Sequence, residues 1–137
     1  MPSPDAPLTG SCACGTVHFE VTAQFRTAGY CHCKRCQRRS GCLWSVNAQV
    51  PAEGFAIVRG REALRIWAPP DGLPKAFCAK CGGQLYSDGG ETLGVRLGAV
   101  DGDPGIRPQW HQWLESAPDW EPIPDDGLPR FPRQRQT

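Results

Sequence analysis

Short runs of alternating polarity dominate the chain. Val17, Phe19 and Val21 interleave with Thr16, His18, Glu20 and Thr22, which predicts a half-buried strand over 15–22. Residues 25–30 predict a second strand, 43–48 and 55–59 a pair around Pro51-Ala52-Glu53-Gly54, and 63–67 another. Residues 84–87 follow as a strand, and 92–100 alternate with Leu93, Val95 and Leu97 on one side. The stretch 110–114 reads as extended and aromatic, and Gln37-Arg38-Arg39-Ser40 predicts one helical turn stopped by Gly41. This is a mainly β pattern of short strands joined by many turns.

Composition sharpens that picture. Gly and Pro supply 16 and 14 of 137 residues, which favours turns over long helices. Hydrophobic residues make up 39%, a lean supply for a core, so a staple helps a chain of this length. The length fits one domain. Pro2, Pro4 and Pro7 predict a disordered lead-in over 1–8, followed by the domain over 9–131. From Pro118 the Pro-rich chain is expected to wrap over that domain, ending in a flexible tail over 132–137.

A net charge of +1 gives no global field toward nucleic acid or membrane. Only Lys34–Arg39 and Arg130, Arg133 and Arg135 favour nucleic acid, which is too little for such a partner. No apolar run approaches the ~18 residues of a spanning helix. The first ten residues show neither a basic n-region nor an apolar h-region, so the expected compartment is the cytoplasm, where thiols stay reduced.

Eight cysteines supply the candidate chemistry. Cys31-His32-Cys33-Lys34-Arg35-Cys36 packs three thiols at C-x-C-x-x-C spacing, flanked by the pairs Cys12/Cys14 and Cys78/Cys81. Adjacent thiols rarely make strain-free disulfides, whereas clustered thiolates suit Zn²⁺. In Cys78-Ala79-Lys80-Cys81-Gly82-Gly83, glycine after the second cysteine allows the positive φ that closes a metal knuckle. The two pairs make a closed structural site, and the triplet makes a three-ligand site with one position open. A rival partition recruits Cys42 and closes the second site as well.

Lys34, Arg35, Arg38 and Arg39 adjoin the triplet. They either greet an anionic ligand or merely balance the thiolates. His32 reads as a supporting or surface residue and His111 as a core or surface one, while His18 has no assigned role. Cys42 outside the metal reads as a small buried hydrophobe. Trp44, Trp67, Trp110, Trp113 and Trp120 read mostly as core filling, with one or two at a pocket.

The motifs Gly10–Gly15, Cys31–Gly41 and Phe77–Gly82 together resemble the glutathione-dependent formaldehyde-activating enzyme family, which includes the centromere protein V relatives. Leu97–Pro104, Trp110-His111-Gln112-Trp113, Ala117-Pro118-Asp119-Trp120 and Leu128-Pro129-Arg130-Phe131 fit the same resemblance. It implies a β-tent fold with two zinc ions per chain. It implies a structural zinc on Cys12, Cys14, Cys78 and Cys81, and a catalytic zinc on Cys31, Cys33 and Cys36. It also implies carbon–sulfur lyase chemistry joining glutathione, or a similar thiol, to formaldehyde or another small aldehyde. Lys34, Arg35, Arg38 or Arg39 would hold the substrate's carboxylates. The competing class is a zinc-stabilised binding module without turnover, and oligomeric state is not legible.

Overall fold

Ten strands in two sheets organise the described residues, 1–136, of the computed structural model. The architecture is mainly β, as the alternation predicts. Strands β1 (Leu8–Ser11), β2 (His18–Val21) and β5 (Phe55–Arg59) form a three-stranded antiparallel sheet in the order β1-β2-β5. The larger sheet takes β3 (Thr27–Cys31), β4 (Ser45–Pro51), β6 (Leu64–Trp67), β7 (Lys75–Cys78), β8 (Gln84–Asp88), β9 (Thr92–Arg96) and β10 (His111–Gln112). Its order is β10-β3-β4-β9-β8-β7-β6, antiparallel except where β10 runs parallel to β3. One helix, α1 (Lys34–Ser40), follows β3, and Gly41 ends it at φ 73° with its N–H on the Gln37 carbonyl.

The core lies between the sheets. Phe19 and Val21 of β2 meet Ala48 and Val50 of β4, Leu85 of β8 and Leu93 and Val95 of β9. The Phe55 ring bridges them, 5.1 Å from Phe19 and 4.9 Å from Tyr86. No tryptophan belongs to this core, contrary to expectation. Trp67 and Trp120 are 43% and 73% exposed, and Trp44, Trp110 and Trp113 are half-buried. The core is built from smaller branched residues and phenylalanine, which interdigitate in a thin two-sheet sandwich.

Side chains of directly paired residues share a sheet face. Tyr86, Val95 and Ala48 form one cross-strand row, and these face the core. The adjacent positions Lys75, Ser87, Gly94 and Gln49 form a row on the opposite face, with Arg96 and Asn47 beside it. The outer face of the large sheet is therefore polar, and it forms the floor of the pocket described below.

Several boundaries differ from expectation. The first predicted strand is shorter, because Gly15, Thr16 and Val17 belong to a turn in which the Cys12 N–H donates to the Val17 carbonyl. The strand expected at 43–48 starts at Ser45 and runs on to Pro51. The alternation at 92–100 breaks at Leu97 into a 3₁₀ turn, Leu97–Ala99. The stretch 110–114 is extended only through Gln112, since Trp113 takes φ 60° and opens a 3₁₀ turn. Strands β1 and β7 were not foreseen.

Both termini make defined contacts. Ser3 and Ala6 exchange backbone hydrogen bonds, and Pro2 is buried. In the stretch from Pro118, the Pro129 carbonyl and the Phe131 N–H bond to His111. Within the expected tail, the Arg133 carbonyl accepts from Trp113, and Arg135 lies 4.1 Å over the Trp110 ring. The final tail residue, Thr137, lies outside the described residues.

Candidate functional site

The cysteines separate into the two groups that their spacing suggests. Cys12, Cys14, Cys78 and Cys81 place their sulfurs within 4.8 Å of one another, and Cys31, Cys33 and Cys36 do the same. In the first group Cys12 and Cys14 lie 3.7 Å apart and Cys14 and Cys78 3.8 Å. Tetrahedral zinc thiolate, with bonds of about 2.3 Å, sets its sulfurs about 3.8 Å apart, so this donor set fits such an ion. Cys42 joins neither group. It is exposed, hydrogen-bonded through its backbone to Ser40, and so is not the buried hydrophobe expected of it.

Local geometry explains the four-thiol cluster. The turn after β1 carries Cys12 and Cys14, and the β7–β8 turn carries Cys78 and Cys81. Backbone N–H groups of Val17, Lys80 and Gly83 point at Cys12, Cys78 and Cys81 Sγ at 3.3, 3.3 and 3.4 Å. Gly82 takes φ 77°, the left-handed turn foreseen from the sequence. A hydrogen bond to Thr16 leads the causes that draw the Cys14 thiol down to about 6. Cys12 and Cys78 are buried in the core, so this cluster ties the two sheets together.

The triplet is built differently. Cys31 ends β3, and Cys33 caps α1, its Sγ accepting from the Cys36 N–H at 3.3 Å. Cys33 and Cys36 Sγ lie 3.0 Å apart. Hydrogen bonds with Cys31 and Cys33 lower the Cys36 thiol, while hydrogen bonds with Cys33 and Cys36, then burial, raise Cys31.

The three thiols line a cavity of about 270 Å³ shared with Arg35, Asn47, Gln49, Leu73, Lys75, Ser87, Gly94, Arg96, Gln112 and Trp113. The four-thiol cluster does not open into it. Gly94 leaves a gap in the floor: a Cβ there would meet Gln49 Nε2 at 3.2 Å. Of the four basic residues expected at the site, only Arg35 lines this pocket, and it is paired with Asp71. Arg38 and Arg39 line a separate outer cavity of about 780 Å³ with Arg35, Trp67 and Phe77, and Lys34 bonds to Gln37. The pocket's own cations, Lys75 and Arg96, were missed by sequence reasoning. Burial first, then neighbouring guanidiniums, lowers the Lys75 ammonium, and burial lowers the Arg96 guanidinium. Arg96 carries only a period-two polarity, identical to that of a solvated strand face, and Lys75 lies in a strand that the sequence did not reveal.

Behind the triplet lies a buried chain of side chains. His32 is 1% exposed, with Nε2 2.9 Å from His111 Nδ1. His111 Nε2 in turn donates to the Asp126 carboxylate at 2.7 Å. Burial, then the charges of His111 and Arg130, hold His32 down at about 4, so it is neutral at neutral pH. Gln37 Nε2 adds bonds of 2.9 Å to the His32 and Ser116 carbonyls. His32 is therefore not a surface residue, one of the two roles expected of it; its ring packs against His111 and Trp44.

Residues 7–116 match the family model described as glutathione-dependent formaldehyde-activating enzyme. The chain belongs to that family. A Halomonas elongata protein named "Putative glutathione-dependent formaldehyde-activating enzyme" is 31% identical over 127 residues, covering 85% of this chain and 80% of that one. A Sordaria macrospora protein of the same name is 29% identical over 89 residues, 61% of this chain. The match spans only 38% of that longer relative. A Rhodobacter sphaeroides crystal structure has the same fold, with TM-score 0.59 and 24% identity over 90% of this chain and 98% of that one. Among the described residues, no helix is long and apolar enough to cross a membrane.

Proposed function

We propose that this family member is a zinc-dependent carbon–sulfur lyase that adds a thiol, glutathione or a similar one, to a small aldehyde. One observation carries the reading. Four thiols form a cluster off the pocket, while Cys31, Cys33 and Cys36 line the pocket and no fourth cysteine joins them among the described residues. A closed four-thiolate set is structural, and three protein ligands beside a cavity are the catalytic pattern. Zinc held by the triplet would lower the pKa of a thiol bound at its remaining position, giving a thiolate at neutral pH.

The chain's own residues define the rest. The α1 cap holds the Cys33 sulfur against the Cys36 N–H, and the backbone of His32, between Cys31 and Cys33, is held by Gln37 and Gln112. Leu73 and Trp113 supply the apolar part of the pocket wall. The guest sulfur attacks the aldehyde carbon, forming the C–S bond while the C=O π pair moves to oxygen. The proton lost by the thiol ends on that oxygen, so the addition has no net proton change. The reverse direction cleaves the same bond.

Loss of aldehyde and appearance of the S-hydroxymethyl adduct, followed by NMR with glutathione and formaldehyde, tests the reading. The reaction should run faster than the uncatalysed one with the native protein and fall to that background in Cys33→Ser. Equal rates with and without native protein would leave a non-catalytic zinc-stabilised module.

A further inference from the structure

The pocket floor holds one buried and one partly buried cation, Lys75 and Arg96, without an acidic partner. Lys75 is 8% exposed, and its Nζ donates to the Leu73 carbonyl at 2.9 Å. Arg96 gives Nη1 to the Gly94 carbonyl at 3.2 Å and Nη2 to Ser87 Oγ at 2.9 Å, while its buried Nε has no partner. Neither residue forms an ion pair among the described residues. Buried cations are normally paired, because desolvation without a counter-charge is costly. A cleft that leaves them unpaired is shaped for a ligand that brings the counter-charge.

Donor counting says what that ligand carries. Lys75 has unused ammonium protons, and Arg96 keeps a second proton on each of Nη1 and Nη2; both residues line the pocket with the three sulfurs. Sulfurs bound to a metal are weak acceptors. A carboxylate offers two strong oxygens and charge-assisted bonds to both cations. The other basic residues near the triplet fit this task less well, since Arg35 already has Asp71 and Arg38 and Arg39 line the outer cavity.

We propose that Lys75 and Arg96 seat a carboxylate carried by the guest thiol, so that the site selects thiols bearing a carboxylate over neutral ones. This rests on the reading of the triplet as a thiol-binding centre. The rival role for the two cations is to balance the thiolate charge alone.

The cobalt(II)-loaded protein separates the two, because each sulfur on the metal adds charge-transfer absorption. The probes are 3-mercaptopropionate and its methyl ester, which share the thiol and differ in the charge. The acid should bind unmodified protein at least about tenfold more tightly than the ester, the scale of a charge-assisted bond. Lys75→Met and Arg96→Met should each remove most of that preference by weakening the acid while leaving the ester within about twofold. Equal binding of acid and ester to unmodified protein overturns the proposal without recourse to any variant. Substitutions that weaken both probes alike also overturn it and assign the cations to thiolate balance. A spectrum that neither probe changes overturns the thiol-binding reading itself.

Discussion

Cys33 and Cys78 carry the same thiol with different consequences. Cys78 is fully buried, lies in the hydrophobic core and belongs to a cluster drawn from both sheets. Structural zinc contributes roughly 10–16 kcal/mol in small metal-folded peptides, against a domain stability of about 5–15 kcal/mol. Cys78→Ser should therefore yield unfolded or insoluble protein, read by circular dichroism and soluble yield. Cys33 is half-buried beside a pocket and is bonded mainly within its own turn. Cys33→Ser should keep the native spectrum and lose about one metal ion per chain by elemental analysis. An equal collapse in both variants would make the triplet structural. All seven clustered cysteines were legible because metal spacing is local in sequence. Lys75 and Arg96 were not, because their meaning comes from a cross-strand row that no single strand reveals.

Elements differ in the same way. The stop of helix α1 was legible, since Gly41 is a local signal and does take the left-handed conformation, but its start was not: the helix begins at Lys34 rather than Gln37, capped by the Cys33 thiol. Strand β10 was only half legible. Its two residues are held by a parallel pairing to β3 and by the segment around Pro129–Phe131, contacts distant in sequence. That layer gives two predictions. A Cβ on Gly29 would fall within the Trp110 ring, on which Arg135 also packs. Gly29→Ala should lower stability by about 1–3 kcal/mol in urea unfolding, the usual cost of overpacking. The Asp126 carboxyl is held below its ordinary range, first by its hydrogen bond with His111. A depressed acid stabilises the fold above its unfolded value, near pH 4, and that stability is lost as pH falls through the lower folded value. Acid should therefore loosen the 126–131 segment, read as faster backbone amide exchange at Leu128 and Phe131. Asp126→Ala should show the same loosening already at neutral pH, and unchanged exchange in that variant would contradict the linkage.

At the scale of the molecule, alternation conveyed the β class but not how the strands divide between two sheets. The three-stranded sheet pairs β1 and β2 with β5, skipping two intervening strands, and no turn signal encodes that. Instead, the four-thiol cluster joins the turn after β1 to the β7–β8 turn, and so fastens one sheet to the other. The triplet spans only the end of β3 and α1, within one short stretch of chain. Removing metal should therefore occur in two separable steps. Three protein ligands hold an ion less tightly than four, and the triplet's cavity admits a competing chelator. Increasing chelator should first release about one ion per chain with the far-ultraviolet spectrum retained. Only the release of the second ion should unfold the chain, because an ion held by the four thiols would fasten together two sheets whose shared core is lean. Metal release followed with a colorimetric indicator, alongside circular dichroism on the same samples, shows the order. Simultaneous loss of both ions and fold would mean that the triplet also bears on stability. Loss of fold with the first ion would assign the structural role to the opposite cluster.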